Sequence, residues 1–492
     1  MSFFRSQKES YLWIFALGLV VFFSACRMQG LQPDAALYAG LSLKVLSTTE
    51  GWRLSGTSGF FSTFHEHPPF FFIWGAQVLR FLGENDGAAR AIGGIPGFLG
   101  FLILCFWTAR RWGTSTAIAT AFALATFGHY TKFAATAMLE GPLSLGTILA
   151  AIGAYELRWN SPSAKKRLGS AFVLLAGLVI ASAAKGIAGF GAWGGVALTL
   201  LIGQSLRKLF ASLLFLMLAL LASFLPLLLW AWKMASLNSL DWIAGYWIQQ
   251  VGVSMSSNRG DSSHASHGDN LFYLKMILLN GWPWWWTVPA CVERMKNGAI
   301  GDLALRRWAY VGAAFFISFV VPFSLVSFQL AHYLHPVYLV LAPLGGYYLA
   351  HVLFPFLFKK LSPTLKARAA EIRWGLLVFA GISLFAAQSG ITSTSNRGQV
   401  FVQAWTEIQK LPADCPVLVP QDSMDPYRME AFALWYWKGQ SWRLVPTVAW
   451  QALAKGDING NYALWDPVAA PFSVEASHCL DEEPTPTSEL GQ

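Results

Sequence analysis

Along this chain apolar residues do not alternate with polar ones; they come in long unbroken runs. Residues 10–26, 91–109, 112–131, 186–206, 209–232 and 374–396 carry no Asp, Glu, Lys or Arg for about 17 residues or more, enough to cross a bilayer as helix. The run 308–358 fits two spans, with HYLHP at 332–336 marking the turn between them. In lipid only helices or a closed barrel satisfy the backbone, and runs without alternation exclude the barrel. The pattern predicts an all-α polytopic membrane protein with eleven spans, at roughly 11–27, 86–109, 113–131, 137–157, 169–185, 187–205, 209–232, 272–292, 308–328, 333–356 and 374–392.

Composition agrees: 12% of the 492 residues are charged, against about 25% in soluble domains. The net charge of +9 would suit nucleic acid, but its distribution argues otherwise. Basic clusters fall at every second gap between spans: Arg110-Arg111, Lys165-Lys166-Arg167, Arg207-Lys208, Arg294 to Arg307 and Lys359 to Arg373. This positive-inside alternation places the N-terminus in the cytoplasm and the C-terminus outside. The opening segment reads as a first span and not a cleaved leader, since nothing resembling A-x-A follows it.

This topology predicts a membrane domain over 1–392, with long outer loops at 28–85 and 233–271, and only short basic connectors inside. Function therefore belongs on the outer face. Within the first loop, 34–47 has helical spacing, and 70–82 reads as an apolar helix too short to span, lying along the membrane surface. Between them FSTFHEHPPF must be irregular, because Pro68 and Pro69 block helix continuation. The tail mixes strand-like runs (CPVLVP, ALWYWKGQSWRLV, YALW) with turns, which predicts a small α/β domain over 393–480 and a disordered end over 481–492. Of five cysteines, Cys415 and Cys479 lie in this tail, where an oxidising compartment would permit a disulfide. There is no P-loop, no GxGxxG behind a strand and no C-x-x-C.

Candidate chemistry gathers in four places. Asp34 fits a helix cap, and also a carboxylate at the outer surface aimed at substrate, with Tyr38 one turn along. In HEHPP, Glu66 has the chemistry of a metal ligand, and His65 or His67 that of a ligand or a cation facing phosphate. In the second loop His264 and His267 lie in a Ser-rich stretch, where a metal shared with Glu66 would order the loop. Finally Arg90, Lys132, Glu140 and Lys185 sit near outer ends of spans, where charges are costly and face a cavity or each other. Lys132 and Lys185 suit an anionic phosphate as point charges, and Glu140 has three possible partners in Lys132, Lys185 and Arg90.

These motifs in this order resemble the GT-C glycosyltransferases. D-x-x-x-Y after span one, D/E-x-(H)-P-P in the same loop and GAAR opening span two look like the branch holding lipid A aminoarabinose transferases and protein O-mannosyltransferases. LEGPLSL at 139–145, AKGIAGF at 184–190, SHGDNLFYL at 266–274 and HYLHPVYLVLAPL at 332–344 continue the likeness. The resemblance implies that Asp34 is the catalytic carboxylate, that Glu66 and His267 belong to a divalent-metal site suited to zinc, and that Lys185 binds the donor phosphate. It places His67 where that family often has Lys or His, and sets Tyr38, Glu140, Arg90, His332 and Tyr333 around the cavity. Glu140 stands where Asp is usual, and His332 where Lys or Arg is common. The implied donor is a polyprenyl-phosphate monosaccharide and the acceptor an extracytoplasmic glycolipid, glycan or protein at the inner membrane. The lipid phosphate is already a competent leaving group, so no nucleotide is required. The rivals are an oligosaccharide ligase or polymerase, a non-enzymatic lipid-linked sugar binding protein, and a transporter; the last would favour repeated halves and broken helices at the midplane.

Overall fold

The computed structural model describes residues 7–23, 26, 31, 33–47, 51–54, 64, 66–127, 130, 133–248, 252, 266–267, 271–280, 287, 303–326, 328–353, 355, 417–420, 442–445 and 463–464. In chain order its helices are α1 Gln7–Phe23, α2 Pro33–Ser47, α3 Phe70–Leu82, α4 Asp86–Trp112, α5 Thr114–Thr126, α6 Glu140–Trp159, α7 Ala164–Lys185, α8 Phe190–Leu201, α9 Leu206–Ser236, α10 Asp241–Trp247, α11 Phe272–Asn280, α12 Leu303–Ser324 and α13 His335–Tyr348. Among the described residues five helical segments are long and apolar enough to cross a membrane. The span expected over 374–392, the later part of 272–292, and Cys415 and Cys479 lie outside the described residues.

Local chemistry sets the ends. Asn85 caps α4 by accepting from Ala88 N at 2.9 Å, satisfying one of the amides a helix start leaves orphaned. Gly113, at φ 86°, breaks α4 from α5, a conformation that suits a residue without Cβ. Ser163 caps α7 in the same way as Asn85 caps α4.

Small residues set the packing. Helices α6 and α7 run against each other so closely that a Cβ on Gly146 would lie 2.5 Å from Ala181 N, and one on Gly153 2.6 Å from Leu174 N. Lipid gives no hydrophobic drive between helices, so close backbone approach supplies the attraction. By contrast α9 turns Leu214, Met217, Leu218, Leu221 and Leu228 outward, the face of a helix solvated by acyl chains.

Two cores result. The larger gathers residues of α1, α4 to α8, α12 and α13, with Phe22, Phe101, Tyr155, Trp308 and Phe315 fully buried. The second lies over one end of the bundle, where α2 and α3 pack with Trp230 and Met234 of α9 and Trp242 and Tyr246 of α10. The first loop is thereby a packed roof. Arg53 ties it down by donating to Leu237 O at 2.6 Å and Ser239 Oγ at 2.5 Å.

A two-residue antiparallel pairing joins β1 (Ser266–His267) to β2 (Phe328–Gln329), with His267 opposite Phe328. In the tail, β3 (Val417–Pro420) lies between β4 (Trp442–Val445) and β5 (Ala463–Leu464), all parallel. The three strands fall within the three strand-like runs of the sequence.

Candidate active site

Under the roof, five separate segments bring ionisable groups together. Helix α2 contributes Asp34 in its first turn and, one turn on, Tyr38. The irregular loop contributes Glu66 and His67. Pro68 and Pro69 are buried, and α3 starts directly after them at Phe70. The elbow is held by Phe64 N donating to Leu54 O at 2.8 Å and by the His67 ring lodged between Tyr38 and Phe64, with centroids at 5.7 and 6.0 Å. Tyr38 Oη and His67 Nε2 form a buried hydrogen bond of 3.1 Å.

The third and fourth segments meet in an ion pair. Glu140 opens α6 and Lys185 closes α7; Lys185 Nζ donates to Glu140 Oε1, with side chains 5% and 1% exposed. Both positions suit their charges, since a helix start favours an anion and a helix end a cation. Gly141 fixes the start of α6 by backing directly onto the Gly93 carbonyl of α4. The fifth segment is the 3₁₀ turn Ala331–Leu334. It places His332 Nε2 3.8 Å from the same Glu140 oxygen and the Tyr333 ring 4.8 Å from Lys185 Nζ. Glu140 Oε2 is buried with no hydrogen-bond partner among the described residues.

Several of these groups act on Tyr38. Burial first, then Asp34, Glu66, Glu140 and Tyr333, push the Tyr38 phenol well above its usual range. Tyr38 is therefore a neutral hydroxyl at neutral pH, under the influence of the Asp34, Glu66 and Glu140 carboxylates. A carboxylate beside a buried hydroxyl, with an ammonium held nearby, can take a proton from a nucleophile and hold a departing anion.

Behind the pair, Gly186 takes φ 55°. A Cβ there would collide with the Tyr246 hydroxyl and lie 3.2 Å from Pro68 Cδ. Tyr246 of α10 accepts from Ile187 N at 2.7 Å, and burial pushes its phenol up to about 12. The turn after Lys185 is thus clamped between the HEHPP elbow and the second loop. Sequence reasoning missed Tyr246; its signal was Trp242 and Tyr246 one turn apart in DWIAGYW, a helical pair inside a stretch read as loop.

Not every expected residue joins the cluster. Arg90 is acted on by the Asp86 carboxylate of its own helix start and by the Cys26 thiol. Lys132 and His65 lie outside the described residues, as does the side chain of His267, although its strand pairs with the segment leading into His332 and Tyr333. Among the described residues no three His, Cys, Asp or Glu side chains form a metal-holding group.

A helical membrane bundle roofed by a first-loop core is a fold that solved structures share. Among them is ArnT from Cupriavidus metallidurans bound to undecaprenyl phosphate, similar over 94% of this chain and 95% of its own, at TM-score 0.66 and 17% identity. Its apo state gives TM-score 0.60 at 16% identity over the same shares. The archaeal oligosaccharyltransferase AglB from Archaeoglobus fulgidus, in complex with an inhibitory peptide and a dolichol-phosphate, gives 0.53 at 12% identity, covering 88% of this chain and 64% of AglB. No protein-family model matches the chain, and no curated protein does. At these identities the likeness is one of fold.

Proposed function

We propose that the chain is a membrane glycosyltransferase that moves a monosaccharide from a polyprenyl-phosphate donor to an extracytoplasmic glycolipid, glycan or protein. The observation that supports this reading is the buried Lys185–Glu140 pair beside Tyr333, together with the influence of Asp34, Glu66, Glu140 and Tyr333 on the Tyr38 phenol. The polyprenyl phosphates held by ArnT and AglB support the donor class. The reading includes eleven spans in an inner membrane, an N-terminus in the cytoplasm, and a small outer α/β domain after 392.

In the proposed reaction an acceptor hydroxyl attacks the anomeric carbon, the carbon–oxygen bond to the lipid phosphate breaks, and Asp34 takes the hydroxyl proton. The polyprenyl phosphate leaves with the bonding electrons. Lys185 neutralises its charge. Glu140 holds Lys185 in place, while the Tyr38–His67 bond fixes the elbow that carries Glu66. Lys132 is a second cation for the phosphate in this reading, and His332 and Tyr333 border the cavity.

A divalent ion fits the donor set: Glu66 is half-exposed at the rim of the cluster, and the strand of His267 is hydrogen-bonded to the chain that leads into the site. A carboxylate and an imidazole suit zinc, with substrate oxygen and water completing roughly four ligands. When bound, such an ion would polarise the donor phosphate.

Mass spectrometry of envelope glycolipids and glycoproteins from cells with and without the gene tests the reading. Loss of one sugar from one acceptor supports it; identical profiles refute it. An oligosaccharide ligase is the second reading, favoured by the fold likeness to AglB. Against it stands the 38-residue stretch 233–270, short for an acceptor loop of that class.

A further inference from the structure

At the other end of the bundle lies a cavity of about 740 Å³, lined by Arg111 of α4, Glu156, Arg158 and Trp159 of α6, and Lys166 and Arg167 of α7. Helix α6, which starts at Glu140, ends beside it, and 20 residues of helix measure about 30 Å. That is the thickness of a hydrocarbon core. The cavity therefore belongs to the leaflet opposite the candidate active site.

Its charges are unevenly committed. Glu156 is occupied by Arg111 and by Trp107 Nε1 at 2.7 Å. Arg158 donates to the carbonyls of Thr199 and Ile202 that end α8, and stacks over Trp159 and Tyr310 at 4.7 and 5.0 Å. Arg167 donates from Nε to Ser161 O at 3.0 Å, and its terminal nitrogens have no protein partner among the described residues. Lys166 Nζ has no acidic partner among them. Two cations beside the N-terminus of α7 thus face a cavity whose single carboxylate is already paired, and the helix dipole adds to their field.

The depth and the neighbouring surface identify the ligand. The half-buried Trp159 and Tyr310 meet at this level, ring centroids 6.0 Å apart, aromatic residues of the kind that sit at the headgroup level. On α7 the residues lining the cavity include Lys166, Gly169, Ser170 and Val173, one helical face, with Arg167 beside them. The adjoining face carries Leu168 and Phe172, 73% and 70% exposed. A lipid whose chains lie along Leu168 and Phe172 would set its headgroup into the cavity, and basic pockets between spans favour anionic headgroups.

We propose that this cavity is a binding site for an anionic phospholipid of the opposite leaflet, its phosphodiester held by Lys166 and Arg167. The test is native mass spectrometry of the whole protein in mixed micelles with equal phosphatidylglycerol and phosphatidylethanolamine. Wild type should retain phosphatidylglycerol preferentially. Lys166→Gln should weaken this about five-fold, and the double variant with Arg167→Gln about 25-fold, with a smaller loss for phosphatidylethanolamine, whose own ammonium offsets its phosphodiester. Gly169→Leu fills the cavity without altering charge, and a Cβ there meets nothing within 4 Å; it should lose phosphatidylglycerol while keeping its melting profile. Equal retention of the two lipids by wild type, or wild-type retention by the three variants, would overturn the proposal. Displacement of phosphatidylglycerol by millimolar inorganic phosphate would overturn it too, assigning the cavity to a soluble anion.

Discussion

Replacing Lys185 by Met separates what the buried ion pair does for folding from what it does for chemistry. The side chains of Lys185 and Glu140 are 5% and 1% exposed, so removal of the ammonium leaves a carboxylate in a low-dielectric site. Among the described residues the other basic group within 4 Å of that carboxylate is His332 at 3.8 Å, beyond hydrogen-bond range. Breaking one side of a buried pair costs about 3–5 kcal/mol, whereas replacing both sides by well-packed neutral groups is often neutral. Lys185→Met should therefore lower unfolding free energy by about 3–5 kcal/mol, a large share of the 5–15 kcal/mol that holds a typical protein together. The double variant Glu140→Gln/Lys185→Met should recover most of that loss, giving a coupling energy of about 2 kcal/mol or more. Transfer activity should stay absent in both, since neither carries a cation for the departing phosphate. Reversible unfolding in mixed SDS micelles measures the first quantity, and donor turnover the second. A single variant as stable as wild type, or a double variant no better than the single, would refute the buried-pair account. Activity restored along with stability would refute the phosphate role of Lys185.

Other outcomes follow from particular contacts. Gly186→Ala should cost about 2–5 kcal/mol, from a backbone region that only glycine tolerates together with overlap on Tyr246, while Tyr246→Phe should cost about 1–2 kcal/mol through the orphaned Ile187 amide; thermal unfolding in detergent checks both. Glu66→Gln and His267→Ala should each weaken metal and donor binding, and the double variant should be little worse than either, because both break one site; calorimetry with zinc and with a polyprenyl phosphate reads this. A reporter active only outside the cytoplasm should work when fused after residue 395 and fail near Lys165, and activity at the Lys165 fusion would overturn the orientation.

Much of the roof was legible in the sequence because its signals are local. The helical spacing of DAALY and the apolar FFFIWG between two prolines and a glycine set α2 and α3 within a residue of where they lie. Charges in apolar surroundings likewise marked Asp34, Glu66, Glu140 and Lys185. What the sequence left open was pairing across distance. Glu140 had three possible partners, and the choice of Lys185 depends on α6 and α7 packing glycine to backbone, which no local pattern states. Helix ends were shifted for the same reason. The span expected at 187 begins at Phe190 after a 3₁₀ turn, because Gly189 lies against the backbone of Ala181. Tyr246 stayed hidden because an aromatic residue in a loop is ordinary until its hydroxyl is found on a backbone amide.

The most direct test of the account is donor turnover by purified wild type and Asp34→Asn in liposomes supplied with a polyprenyl-phosphate sugar and envelope acceptor. The near-isosteric amide keeps the start of α2 while removing the base. Wild type should release polyprenyl phosphate and load the sugar onto acceptor. The variant should bind donor normally and turn over about 10²–10⁴ times more slowly. A folded Asn variant working at the wild-type rate would contradict the role of Asp34, and a wild type that consumes no lipid-linked donor would contradict the function itself.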